Sequence, residues 1–232
     1  MEKEMFEKYF SKERLQRYLA ACDNDYERAI RLYQDNMRIS QSLHPLIGIV
    51  EVVMRNRIHE VIKEHFRNED WILQEREGFM HTLSTLSDKR HRSHLLFKVN
   101  AIENRLLKVN KPITTPSLIS ETSLGFWTEF YKSSVYKMLK GKPIQVFGKL
   151  PRGVGRHEIS YMVEKVRKIR NRMNHQEPIC FRGKDISYEE AIEVYRILRQ
   201  ILEWIDPILN EYSLEFEIKG NMIEENQFLI DK

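Results

Sequence analysis

A chain of 232 residues with 41% apolar side chains can bury a real core, so a globular protein is expected, of one large domain or two small ones. Only nine glycines and seven prolines, with 31% charged residues, argue against a strand-and-turn protein and for a mostly helical one. A net charge of +4 excludes no partner class, but two cysteines outside any metal-type spacing, Cys22 and Cys180, point to free thiols in a reducing compartment.

In chain order, Met1 to Lys12 is charged throughout, unlike a signal peptide, and no apolar run approaches the roughly 20 residues needed to cross a bilayer. A cytoplasmic protein with no membrane partner is the expectation. The first helix starts at Ser11, a good N-cap, and runs through LQRYLAAC, after which Asp23, Asn24 and Asp25 break and recap the chain. The second helix, YERAIRLYQDNMRISQSL, puts Ala29, Ile30, Tyr33, Met37 and Ser40 near one stripe. Pro45 marks a new start, and Ile47, Val50, Val53, Met54, Ile58, Val61 and Ile62 predict a largely buried helix after it. Asn68 caps a short helix holding Trp71 and Ile72, and a long helix is predicted over 88–109, with Leu95, Leu96, Val99, Ile102 and Leu106 inward. Thr115 and Pro116 are an N-cap and N1 pair.

Farther on, SLGFWTEFYKSSVYKMLKGK turns Leu124, Trp127, Phe130, Tyr131, Val135 and Leu139 inward. Gly141 to Gly155, rich in proline and glycine, reads as the long loop. The next helix, about 156–177, has Ile159, Met162, Val163, Val166, Ile169 and Met173 as its buried stripe and ends at Pro178. Ser187 and Glu190 predict a capping box opening the last long helix, where Val194, Leu198, Ile201, Ile205 and Ile208 recur. No strand signal competes, although LEFEIKG reads as a short extended piece.

Charge is unevenly placed. Between Lys137 and Arg172 there are eleven Lys or Arg against Glu158 and Glu164, a balance of 11 − 2 = +9. Such a field draws in a polyanion, and phosphate contacts dominate nucleic-acid affinity. A solvated helix face plus a basic loop explains the same count. From Glu203 onward the sign reverses, with eight acids against Lys219 and Lys232.

Inside the basic stretch, RKIRNRMNHQEPI brings Arg167, Arg170, Asn171, Asn174 and His175 within nine residues. An arginine to hold a phosphate, a histidine to move a proton and amides to orient both are the parts of metal-free RNA cleavage. At ~100° per residue, however, His175 lies ~140° around the helix from Arg170. Distortion of the last turn before Pro178, or pairing of two copies, would bring them to one phosphate; pairing is the more economical. A salt-bridged arginine beside a histidine whose cation suits a helix C-terminus also fits.

Two other histidine groups stand out. Arg55, Asn56 and His59 repeat the motif one residue short, and Arg55 and His59 share a face at i and i+4. His91 and His94 are spaced for metal ligation but lack a third ligand nearby, so no metal is predicted.

The run Arg170-Asn171-Arg172-Met173-Asn174-His175 resembles the Arg-Asn-x-x-x-His signature of HEPN-domain ribonucleases, and the following Gln-Glu-Pro-Ile resembles the ending of that motif in abortive-infection (Abi-like) proteins. ERAIRLYQDNMRISQSL, IVEVVMRNRIHEVI and LGFWTEFY resemble further segments of that family, in order from about Glu13 to Ile179. Gln176 stands where the family often has a second histidine. The resemblance implies an all-α, HEPN-like helical bundle over 1–212 with additional N-terminal and intervening helices, followed by an acidic extension over 213–232.

It also implies a homodimer with two motifs facing one another, cleaving RNA without a cofactor or metal ion. Position by position, Arg170 and His175 would be the catalytic pair and Asn171 their polar partner. Arg167, Lys168, Arg172, Asn174, Arg152 and Arg156 would bind RNA, and Phe147 is a candidate to stack a base. Glu51, Arg55 and Asn56 would form a buried polar network behind the active helix. The role implied is antiphage abortive infection, with an antitoxin or noncoding RNA as candidate regulator. A HEPN-fold module that binds RNA or protein without turnover is the alternative.

Overall fold

Residues 2–216 are described by the computed structural model, and over that range the chain is all-α apart from one small hairpin. Most of the acidic extension expected over 213–232 lies outside the described residues; Leu214–Phe216 form a 3-10 turn rather than an extended piece.

A helix that sequence alone does not announce comes first. α1 (Lys3–Phe10) is charged along most of its length, but it seats Phe6 in the core, stacked on Phe10 and edge-on to Tyr33. The Ser11 hydroxyl then caps α2 (Lys12–Ala21) by accepting from Arg14 N–H at 3.4 Å. Asp23 and Asn24 turn the chain in the left-handed region, and the Asp25 carboxylate caps the next helix through Arg28 N–H at 3.0 Å.

That helix, α3 (Tyr26–Phe66), runs 41 residues without a break at Pro45. Proline lacks the N–H that would reach the Gln41 carbonyl, and inside a helix it costs about 3 kcal/mol. The cost is offset by packing, since Leu43, Leu46, Ile47 and Val50 on both sides of Pro45 are buried and each contributes about 1.5–3 kcal/mol. A proline read as a boundary is here an interior residue of the molecule's longest element.

The inward stripe of the first half of α3 is also shifted from the predicted one. Ala29, Leu32, Asn36, Ile39 and Leu43 are buried, whereas Ile30 and Tyr33 are half-buried and Met37 is exposed. Asn36 explains the shift. It is a polar residue in the core because its Oδ1 accepts the Ile179 N–H at 2.7 Å, fastening α3 to the segment after the motif helix. In the second half Val50, Met54, Ile58, Val61 and Ile62 are buried as predicted.

Beyond α3 the elements are short. Asn68 accepts Asp70 N–H at 2.8 Å in a turn ahead of α4 (Trp71–Gln74), where Asp70 itself holds the cap position. α5 (Phe79–Ser84) comes next; the helix predicted over 88–109 starts late, because Asp88 holds Arg90 and His91 in a turn, and only α6 (Leu95–Lys108) forms within that range. Thr114, one residue before the predicted cap, forms a capping box with Ser117 and opens α7 (Thr115–Ser120). The aromatic stretch folds as α8 (Leu124–Trp127), a 3-10 turn (Thr128–Tyr131) and α9 (Ser133–Met138), and all six residues predicted to face inward are buried. Within 141–155, Lys142–Val146 make another 3-10 turn, and Phe147 is buried, which removes it as a base-stacking surface.

α10 (Arg156–Asn174) buries the predicted stripe residue for residue. After it β1 (Phe181–Arg182) and β2 (Asp185–Ile186) pair antiparallel around Gly183, whose φ of +64° suits glycine. The capping box predicted before α11 (Glu189–Ile205) does not form: Tyr188 takes the cap position, and Glu190 is drawn to Arg172. Asp206 and Pro207 end α11 and start α12 (Pro207–Ser213), which leaves Ile208 exposed. Buried side chains from α1 through α11 form one contiguous apolar cluster, with α3 packed on α2, α8, α10 and α11. No described helix is long and apolar enough to cross a membrane.

Asn36→Ala strips the buried Ile179 N–H of its acceptor, so chemical denaturation should show a loss of about 1–3 kcal/mol. Ala substitution of the neighbouring exposed Met37 should change stability by no more than about 0.5 kcal/mol.

Candidate functional site

The motif sits at the C-terminal end of α10. His175 is the C-cap, Gln176 turns left-handed at φ +56°, Gln176 N–H bonds Met173 C=O at 3.0 Å and Glu177 N–H bonds Arg172 C=O at 2.8 Å. These paired bonds close the helix end as a Schellman motif. Three side chains clamp the turn, two of them from other helices: Arg14 donates to the Gln176 carbonyl at 3.1 Å and Asn36 holds Ile179 N–H, while Arg172 of α10 itself donates to the Pro178 carbonyl. His175 projects from this clamped end, exposed, and its ring makes no hydrogen bond among the described residues.

Helical hydrogen bonding persists to the last turn, His175 N–H reaching Asn171 C=O at 3.1 Å. Distortion before Pro178 is thereby removed as a way to bring Arg170 and His175 together, and their ~140° separation within one chain stands. Arg170 is half-buried, and its Nη2 lies 3.4 Å from Glu51 Oε1 on α3. The same oxygen accepts Leu124 N–H at 2.7 Å, satisfying one of the free donors at the start of α8. Glu51 thus joins α3, α8 and α10 and aims Arg170. Asn171 is half-buried and Asn174 exposed, and neither side chain is hydrogen-bonded among the described residues.

The three-residue supporting network does not form as predicted. Asn56 is exposed, and Arg55 is half-buried with its Nε enclosed and without a partner among the described residues. His59 belongs to a different contact: its Nδ1 accepts the Trp71 indole N–H at 3.0 Å. The ring is therefore held with Nδ1 bare, and burial pushes its pKa below the ordinary histidine value.

Most of the predicted RNA-binding cations are already engaged. Arg172 donates to Glu190 at 2.6 Å, and at ~200° from Arg170 it faces the other side of α10. There it lines a cavity of about 620 Å³ with Arg17, Lys165, Glu190 and Glu193. It holds α10 to α11 instead of gripping RNA beside Arg170. Arg156 donates to the Tyr131 carbonyl at 3.0 Å, and Arg167 forks onto Glu164 at 2.8 and 2.6 Å. That bonding holds the Glu164 carboxyl below its usual range. Lys168 and Arg152 are exposed. Folding brings Glu51, Glu190 and Glu193 to Arg170, Arg172 and Lys165, so the balance read as +9 becomes 11 − 5 = +6 in three dimensions.

Sequence reading missed the groups beside Arg167. Glu129, 5% exposed, accepts from Lys132 at 2.7 Å and lies 3.5 Å from Lys98. The signal was present, since a carboxylate inside GFWTEFY must be paired if its neighbours are buried. His91 pairs with Asp88 at 3.0 Å, and among the described residues no group of three or more His, Cys, Asp or Glu is arranged to hold a metal.

The chain matches no family model, and no curated protein or solved structure is significantly similar to it. The HEPN and Abi-like resemblance thus rests on the motif and the three further sequence segments that accompany it.

Truncating Glu51 leaves both Arg170 and Leu124 N–H without their acceptor. For this half-buried contact Glu51→Ala should cost about 1–2 kcal/mol by urea denaturation, against no more than about 0.5 kcal/mol for the exposed Glu27→Ala.

The unfolded chain takes up a proton at His59 at higher pH than the folded one, so this histidine's contribution is intact above its ordinary pKa of 6.5 and is lost as pH falls through the lower folded value. The wild-type melting temperature should fall between about pH 7.5 and 5.5 more steeply than that of His59→Gln, whose amide oxygen can still accept from Trp71.

Proposed function

We propose that this chain is a metal-independent endoribonuclease of the HEPN type, acting as a symmetric dimer in abortive infection against phage. The observation that carries the reading is an exposed imidazole, without a hydrogen bond among the described residues, at a clamped helix end, five residues after a guanidinium steered by Glu51. Clamping by Arg14, Arg172 and Asn36 fixes the backbone under His175 while leaving its ring free, which is what a proton-transfer group needs. One nitrogen of Arg170 meets Glu51, leaving other N–H donors for a phosphate.

In the reaction, His175 takes the proton of a ribose 2′-hydroxyl, whose oxygen attacks the adjacent phosphorus. The bond from phosphorus to the 5′ oxygen breaks, that oxygen takes a proton from water, and the products carry 2′,3′-cyclic phosphate and 5′-hydroxyl ends. Arg170 stabilises the charge developing on the phosphoryl oxygens. Asn171 and Asn174 orient the phosphate, and Lys168 and Arg152 supply exposed positive charge for the strand. The ~140° between Arg170 and His175 supports a composite site, with the arginine of one copy facing the imidazole of another.

RNA binding without turnover is the second reading, favoured by the Arg170–Glu51 pair, which partly neutralises the arginine before any phosphate arrives.

Purified protein should cleave RNA in EDTA and leave 2′,3′-cyclic phosphate ends, and Arg170→Ala or His175→Ala should each reduce the rate about 100-fold or more. Mixing and reannealing the two inactive variants should restore about a quarter of wild-type activity, because half the random dimers are mixed and each holds one intact composite site. Cleavage that survives His175→Ala, or that disappears only on chelation, would refute the mechanism. An inert wild type that still retains RNA would select the binding reading.

A further inference from the structure

Glu129 is almost fully enclosed among aromatic residues, with Phe130 and Tyr131 beside it in the chain and both completely buried. A carboxylate in such a place persists only when it is paired and hydrogen-bonded. Here the Ser93 hydroxyl donates at 3.2 Å, His94 N–H at 3.3 Å and Lys132 at 2.7 Å, with Lys98 at 3.5 Å. One negative charge thus holds two ammonium groups. Both reach solvent, with the Lys98 side chain 31% and the Lys132 side chain 45% exposed. The Lys98 ammonium also donates to the Gly125 carbonyl, and burial pushes its pKa below the ordinary value despite the carboxylate beside it.

These lysines adjoin the motif helix. A Cβ placed on Gly125 would stand 3.6 Å from Arg167 Cδ and 3.9 Å from Lys98 Nζ, so the glycine is the floor between two positive side chains. Arg167 uses Nε and Nη2 on Glu164, leaving Nη1 uncommitted among the described residues. Leu124, next to Gly125, gives its N–H to the same Glu51 oxygen that meets Arg170. Arg167 precedes Arg170 by less than one turn, about 4.5 Å along the axis.

We propose that Lys98, Lys132 and Arg167, set in place by the buried Glu129, form a phosphate subsite that takes the RNA phosphodiester next to the one held at Arg170. The identity of the polyanion rests on the nuclease reading above. Ammonium groups are point charges with rotating donors, so this subsite fixes the register and affinity of the strand without reading its bases. Glu129 is a positioning residue. It restrains two flexible side chains that would otherwise lose rotamer freedom on binding.

The test measures binding of a fluorescent, uniformly 2′-O-methylated single-stranded RNA, which lacks the attacking hydroxyl, across a series of KCl concentrations. Cleavage of unmodified RNA by the wild type is followed in parallel. Lys98→Gln/Lys132→Gln should weaken binding several-fold at low salt and flatten the slope of log affinity against log salt by about 0.7, the contribution of one single-strand phosphate. Lys89→Gln, an exposed lysine on another segment, should leave the slope unchanged. If the double variant does not melt cooperatively, Lys132→Gln alone carries the measurement, because Glu129 then keeps Ser93, His94 and Lys98.

A folded variant with the wild-type slope overturns the subsite, whatever the wild type does to RNA. A wild type that shows the lysine dependence but never cleaves upholds the subsite and sinks the nuclease reading. A wild type that binds no RNA at low salt overturns both.

Discussion

One carboxylate oxygen, Glu51 Oε1, receives a backbone N–H from α8 and the guanidinium of Arg170 from α10, and it is itself carried by α3. Three elements distant in sequence are brought to one point there, and the motif arginine has a defined direction because of it. The arrangement depends in turn on α3 running unbroken, which it does through Pro45. A helix broken at Pro45 would leave Glu51 on a separate element from Asn36. The Asn36 contact to Ile179 and the Glu51 contact to Arg170 would then no longer be built on one body. The long helix therefore serves as a ruler: one residue fastens the segment after the motif, another aims the motif arginine.

Around that ruler, the cations of α10 divide by helical face. Arg172 and Lys165 turn toward α11, where Glu190 and Glu193 take them up in ion pairs that hold the two helices together. Arg167 and Arg170 turn toward α8, Glu164 and Glu51. All four are half-buried and ion-paired, so the pairs differ in direction and partner, with Arg167 of the second lying near Lys98 across Gly125. A single run of positive residues in the sequence is thus two populations in space, and only one of them lies on the Arg170 side of the helix.

Legibility differed by kind of residue. The apolar stripes of α10 and of the segment from Leu124 to Leu139 were readable because hydrophobic periodicity reports burial directly, and every residue assigned to them is buried. Caps formed by a nearby side chain, Ser11 and Asp25, were readable for the same local reason. Pro45 and the Ser187–Glu190 pair misled, because each local preference was outweighed by a distant one: packing along both halves of α3, and the pull of Arg172 on Glu190. Asn36 was invisible as a core residue, since its partner lies 143 residues away in the chain, whereas Glu129 was signalled by its apolar neighbours although Ser93 lies 36 residues away.

The sequence by itself determined an all-helical chain, the inward face of most of its helices and the placing of Arg170 and His175 on different faces of one of them, since these follow from 3.6-residue periodicity and local caps. Only the tertiary structure decided which cations remain available, which carboxylate aims Arg170 and how the turn beneath His175 is clamped. Those outcomes turn on Glu51, Glu190, Glu193, Asn36 and Arg14, whose approach to the motif is a matter of chain path and packing that no local pattern encodes.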